Sequence, residues 1–375
     1  MSAATMKEAV VGKGPTVKIR DTPTPLINED QVLIRVVVSG SNPKDWKIPE
    51  YFGSDDNDPE KWTNEGDDIA GIVEQVGAKV FEFKPGDRVA AFHEMRTGGG
   101  SYAEYAVAWQ HTTFHIPKET SFEEAAAIPL AAMTSAIALY NRLRLPEPWS
   151  PPGTPSPGPL IIYGASSAVG IYAVQLALRS NLHPIIAVAG RAKDYVSGFL
   201  SPDKGDVVLD YREGSDAVVK GIVNAVRKHY SSNNNQNIGP VFALDAVSEE
   251  KTSIADLGKA YTQLFSSNTN TSSGSKTTYV LWDAEKKAAE VLPQGVEASL
   301  TMVGDVHKDH GKDFGYVYFR YFARGLQEGW FRPQRHEVVP GGLGGIETAL
   351  KNLKSGKASA VKYVFRISET EGVQG

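Results

Sequence analysis

Apolar residues in the first third of the chain come in short β-branched runs, VLIRVVVSG (32–40), AGIVEQVG (70–77) and DRVAAF (87–92), divided by Gly, Pro and Asp. Runs of this kind predict strands, and together they predict a compact, barrel-like β-rich domain over about 6–129. The pattern changes at FEEAAAIPLAAMTSAIALYNRLR (122–144), which reads as helix on both sides of a proline that breaks or kinks it. The proline-dense PEPWSPPGTPSPGP (146–159) can be neither helix nor central strand and predicts a surface loop.

Strand and helix then alternate: strands at 161–163, 185–189, 207–211, 241–247 and 278–282, helices at about 169–179 and 216–229. Such alternation predicts parallel strands joined by crossover helices. VEASLTMVGD (296–305) alternates as an edge strand would, and SSNNNQN (231–237) and SSNTNTSSGS (266–275) read as polar loops without a function. The tail, 313–333 and 344–367, predicts two helices and a closing strand, with Ile346, Leu350 and Leu353 on one face at i, i+4, i+7.

Length and charge narrow the class to an α/β protein with two cores. A chain of 375 residues, 41% of them hydrophobic, outgrows a single core. The net charge of −5, with both signs mixed, provides no basic stripe for a nucleic acid. No window of about 18 apolar residues stands out, and MSAATMKEAVVGKG lacks a signal-peptide pattern, so the expectation is a cytoplasmic protein with no membrane segment. Cysteine is absent, which removes disulfides, thiolate nucleophiles and cysteine-containing zinc sites.

The most informative stretch is LIIYGASSAVGIYAVQLALRS (160–180). It has the outline of a strand, a turn of small residues and a helix whose N-terminus can hold a dinucleotide pyrophosphate. Gly164-Ala165-Ser166-Ser167-Ala168 also resembles a G-x-S-x-G nucleophile elbow except for its last residue, and His307, His310 and His336 lie downstream with acids before them. The short-chain dehydrogenase type of turn is disfavoured, since none of the fifteen tyrosines has lysine four residues on. The strand at 185–189 separates the first two readings. It ends on Gly190-Arg191-Ala192-Lys193, donors for a 2′-phosphate where an NAD-specific site places an acid. Tyr211, ending the next strand, can add its hydroxyl, so the expected cofactor is NADPH.

SNPKDWK (41–47), GDDIAGIVEQVG (66–77), FKPGDRVAAF (83–92), GGSYAEYAV (99–107), AAAIPLAAMTSA (125–136) and GASSAVG (164–170), with DYRE (210–213) and ALDAVS (243–248), resemble the medium-chain dehydrogenase/reductases. The resemblance covers about 6–367 and is specifically to the zinc-free quinone reductase branch and to fungal trans-acting enoyl reductases of secondary metabolism. It implies a GroES-like, β-rich substrate domain (1–130 and 311–375) and a Rossmann doubly wound parallel-sheet nucleotide domain (131–310). Zinc members carry cysteine where this chain has SNPKD and Gly-His-Glu where it has Gly66-Asp67-Asp68, so no metal is expected. Ser167-Ala168 departs from the usual glycine pair.

The activity implied is hydride transfer from NADPH to an activated C=C (enone or enoyl) or a quinone. Carbonyl reduction on the same scaffold and a non-catalytic NADPH-binding protein stay open. The substrate is then a small or carrier-bound enoyl compound or a quinone, with a homodimer and a polyketide synthase partner also open. The resemblance nominates Asn42, Lys47 and Tyr51 as catalytic: Asn42 for orientation, Lys47 or Tyr51 as electrophile or proton donor. For the cofactor it nominates Thr134, Gly164, Ser166, Ser167, Ala168, Val169, Gly170, Gly190, Arg191, Lys193, Tyr211, Val247, Met302 and Val303.

Overall fold

The computed structural model describes residues 5–53, 58–151, 153–232, 237–266 and 272–373. The chain divides into two compact units, Met1–Met133 with Gly304–Gly375, and Thr134–Val303. The polar stretches at 231–237 and 266–275 lie in part outside the described residues.

In the first unit, each β-branched run becomes a strand because alternate residues have an interior to fill. Val32, Ile34 and Val36 of Gln31–Gly40, Ile69 and Val73 of Asp68–Val76, and Val89 and Ala91 of Arg88–Phe92 join one core. A seven-stranded sheet runs in the order His336–Val338, Lys362–Arg366, Gln31–Gly40, Asp68–Val76, Arg88–Phe92, Thr113–His115, with Tyr105–Trp109 also paired to Gln31–Gly40. Only the first pair is parallel, and a hairpin of Thr5–Gly12 with Thr16–Pro23 forms a separate two-stranded sheet. The C-terminal strand closes onto the N-terminal half, with Val364 opposite Gly40. Helix Ile346–Lys354 turns Ile346, Ala349 and Leu350 inward, with Leu353 packed partly buried against the same core.

Pro129 does not kink one helix but begins a second. Ser121 and Glu124 form a reciprocal cap on Phe122–Ala125, and the chain restarts at Pro129–Ala136, where a proline at the first position forfeits no hydrogen bond. The run Phe122–Arg142 is, against expectation, long and apolar enough to cross a membrane; 83% of its most apolar window is buried inside the protein, as for a core helix.

The second unit is a six-stranded sheet, parallel throughout, in the order Val207–Asp210, Ile185–Ala189, Leu160–Tyr163, Phe242–Asp245, Lys276–Tyr279, Glu297–Leu300. Numbered within the unit this is 3-2-1-4-5-6, the doubly wound order. Helices Ala168–Arg179, Ser215–Ser232, Ala255–Leu264 and Ala284–Val291 supply crossovers. Both faces are covered, so Leu160–Tyr163 and Ile185–Ala189 are buried along their whole length rather than alternating.

Candidate active and cofactor site

In the second unit the order reverses between Leu160–Tyr163 and Phe242–Asp245, and the GASSAVG turn stands at the carboxyl end of the first of these. Gly164 turns the chain with φ of +77°, a conformation that side chains other than glycine's resist. Gly170 lies so close to the turn that a Cβ would stand 2.2 Å from Gly164 O and 2.6 Å from Ala165 Cα. Ser167 begins helix Ala168–Arg179 and its hydroxyl accepts from Gly170 N at 3.0 Å, doing by a side-chain cap what a glycine pair cannot. The turn is therefore a backbone cradle at a helix N-terminus, a shape that fits a pyrophosphate.

A nucleophile elbow needs a strained serine, and Ser166 is absent from the non-glycine residues with positive φ. Val247 joins the cradle, its Cγ2 2.7 Å from where a Gly164 Cβ would point, and its N–H donates to Asp245 Oδ1 at 2.9 Å. Ser135 Oγ donates to Val169 O at 2.7 Å, which places Thr134 next to the helix start. Met302 and Val303 follow the edge strand, the first exposed and the second buried.

Around Gly190 the sequence reading needs correcting, because the turn is not acid-free. Tyr211 covers Gly190 so closely that a Cβ there would lie 2.4 Å from the ring, and Asp210 beside it pairs with Lys193 at 3.4 Å and Arg212 at 2.5 Å. The acid escaped the linear reading because it comes from the neighbouring strand, where Asp210 is in register with Ala189. Arg191 is exposed on the same turn.

In the other unit Asn42 is buried, and its amide is committed internally. Nδ2 donates to Asp68 Oδ2 at 2.7 Å and Oδ1 accepts from Lys362 Nζ at 2.8 Å, while Lys362 also donates to Asp68 Oδ2 and Leu130 N to Asp68 Oδ1. Lys47 and Tyr51 follow Lys44 along helix Lys44–Phe52 at i+3 and i+7, hence on one stripe. The stripe leaves the interior along its length: Lys44 is largely buried, Lys47 is half-buried with Nζ 5.6 Å from the Trp46 ring centroid, and Tyr51 is 61% exposed.

Sequence reasoning missed the buried ionic cluster beside Asn42. Lys44 Nζ donates to Glu65 O at 2.6 Å, pairs with Asp67, and lies 3.2 Å from Asp45 Oδ1. Asp67 Oδ1 meets His93 Nδ1 at 3.0 Å, and Tyr102 donates to Asp45 Oδ2 at 2.6 Å. Burial alone would lower the Lys44 ammonium, but the Asp67, Asp45 and Glu65 carboxylates hold it well above the ordinary lysine range. Burial pushes Asp45 up to about 7 despite Lys44, whereas Lys44 and His93 overcome burial at Asp67 and keep it low. A lysine in the first turn opposes the helix dipole, and that unfavourable position beside GDD was the one available signal. Among the described residues no group of three or more His, Asp or Glu could hold a metal ion.

Two of the histidines downstream of the GASSAVG turn differ in setting. His310 is exposed, but His307 packs 4.9 Å from the Phe92 ring and 6.0 Å from His111. Burial pushes His307 down to about 3 and His111 to about 4.

Residues 28–118 match the alcohol dehydrogenase GroES-like domain. The chain is 44% identical over 340 residues to the trans-enoyl reductase fsr4 of Gibberella fujikuroi, covering 91% of this chain and 92% of that one. It is 30% identical over 391 residues to the trans-enoyl reductase resD of Aspergillus sclerotiorum, covering 96% and 100%. The quinone oxidoreductase structure from Coxiella burnetii superposes with a TM-score of 0.67 at 21% identity, over 97% of this chain and 99% of that one. With a GroES-like unit, a 3-2-1-4-5-6 parallel sheet and a relative matched along nearly its whole length, the chain belongs to the medium-chain dehydrogenase/reductase superfamily of oxidoreductases, in the branch of the trans-enoyl reductases and quinone oxidoreductases.

Proposed function

We propose that this chain is an NADPH-dependent reductase of activated C=C bonds, free or carrier-bound, and of quinones, working without zinc. The observation that carries the reading is the cradle at 164–170, where Gly164 and Gly170 bring backbone close together at the helix N-terminus and Ser167 caps it. NADPH bound there would supply the hydride.

The helix N-terminus and the Gly164 turn would hold the pyrophosphate, Val247 and the segment at Thr134 would border the nicotinamide end, and Arg191, Lys193 and Tyr211 would meet the 2′-phosphate. Reduction of an enone leaves negative charge on the carbonyl oxygen and consumes a proton. Lys47 and Tyr51, on the outward stripe of helix Lys44–Phe52, are the side chains we assign to those two tasks. Asn42 acts indirectly: tied to Asp68 and Lys362, it fixes the start of the helix that carries them.

The test is NADPH oxidation with an α,β-unsaturated ketone, a benzoquinone and a saturated aldehyde. Oxidation by the first two is expected. Oxidation by the aldehyde alone would make the protein a carbonyl reductase, and tight binding without oxidation by any acceptor would make it a non-catalytic nucleotide binder.

A further inference from the structure

Asp210 ends the strand Val207–Asp210 and gathers the cations of the Gly190 turn. Its Oδ1 accepts from Arg212 N at 3.0 Å and from Arg212 Nε at 2.8 Å, its Oδ2 accepts from Arg212 Nη2 at 2.5 Å, and Lys193 Nζ lies 3.4 Å from Oδ2. The Arg212 fork holds the Asp210 carboxyl well below the usual carboxylate range. A guanidinium fork, an ammonium and a backbone N–H converging on one anion are the donor set that also recognises a phosphate. The carboxylate is 6% exposed, while the side chains of Arg212 and Lys193 are 48% and 43% exposed, so both cations can turn toward a ligand in solution. Tyr211, between Asp210 and Arg212 in sequence, keeps its ring against Gly190, so the donors are confined to the turn assigned above to the 2′-phosphate.

We propose that Arg212 is a specificity-determining residue for a 2′-phosphorylated adenosine, and that Asp210 is its internal stand-in anion, holding Arg212 and Lys193 in place and competing with the phosphate for them. The inference rests on the NADPH reading. A phosphate monoester carries close to two charges at neutral pH against one on the carboxylate, and so draws the fork away. Asp210 thereby tempers the affinity for 2′-phosphorylated nucleotides and leaves a free 2′-hydroxyl untouched. Arg212 is half exposed, and in Arg212→Gln the carboxylate keeps Lys193 and the backbone N–H of residue 212, so that replacement costs the fold little.

Isothermal titration with adenosine 2′,5′-bisphosphate and with 5′-AMP tests this on the full chain and on Arg212→Gln, Arg212→Lys and Asp210→Asn. The wild type should prefer the bisphosphate. Arg212→Gln should lose about tenfold in bisphosphate affinity, with 5′-AMP unchanged, and Arg212→Lys should fall between them. Asp210→Asn should bind the bisphosphate about threefold or more tighter, again without effect on 5′-AMP. Unchanged bisphosphate affinity in both Arg212 variants, or weaker binding by Asp210→Asn, overturns the proposal. A wild type that does not distinguish the two ligands overturns instead the NADPH reading beneath it.

Discussion

At 164–170 the nucleotide unit shapes its site by leaving side chains out, whereas around Asn42 and Lys44 the other unit fills its site with buried charge. The first depends on space: a Cβ on Gly170 would stand 2.2 Å from Gly164 O. The second depends on pairing: Asp45, Glu65, Asp67 and Asp68 are all nearly inaccessible and are held by Lys44 and Lys362. A space-defined site tolerates little change of size but any change of charge outside it. A charge-defined site behaves the other way, since one deleted partner leaves a buried ion uncompensated.

The sharpest way to break that contrast is Lys44→Met, which keeps the volume and removes the cation. It should cost about 3–5 kcal/mol of stability, because several buried carboxylates lose their common partner. Chemical denaturation measures it, and binding of adenosine 2′,5′-bisphosphate by the folded variant should stay within about twofold. Gly170→Ala is the converse substitution, expected to cost about 1–3 kcal/mol and to weaken nucleotide binding more than it lowers the denaturation midpoint. Tyr51→Phe and Lys47→Met probe the outward stripe. The residue that donates the proton should lose about a hundredfold in kcat, with melting temperature little changed because Tyr51 is exposed and Lys47 half-buried.

The smallest effect is on pH dependence. His111 and His307 are held neutral down to about 4 and about 3, while in the unfolded chain each takes up a proton near the ordinary histidine value of 6.5. Their contribution to stability is whole above pH 6.5 and declines as pH falls through that value toward 4 and then 3. Melting temperature should fall by a few degrees, roughly 2–4 °C per kcal/mol lost, between pH 7 and 5, and His307→Phe should flatten that part of the curve.

The same contrast decides what could be read from the sequence. The cradle is local: Gly164, Ser167 and Gly170 fall within seven residues, and their spacing relative to an apolar run is enough to recognise it. The parallel sheet was legible for the same reason, because crossover units repeat the alternation of strand and helix. The ionic cluster brings together 42–45, 65–68, 93, 102 and 362, and no linear spacing reports that Lys362 faces Asn42 across 320 positions. Asp210 was missed likewise, since strand pairing rather than sequence sets it against the Gly190 turn. Pro129 was legible as a break or a kink, and the Ser121 cap with a second helix start decides for the break.

The central claim is that NADPH is the reductant and that the Gly190 turn selects it. Titration of NADPH and NADH by nucleotide fluorescence, on the wild type and on Arg191→Ala, tests it most directly. The account predicts tight NADPH binding, weaker NADH binding, and a loss of about tenfold for NADPH alone in the variant. Equal affinity for the two nucleotides, or a variant that binds NADPH as the wild type does, would contradict it.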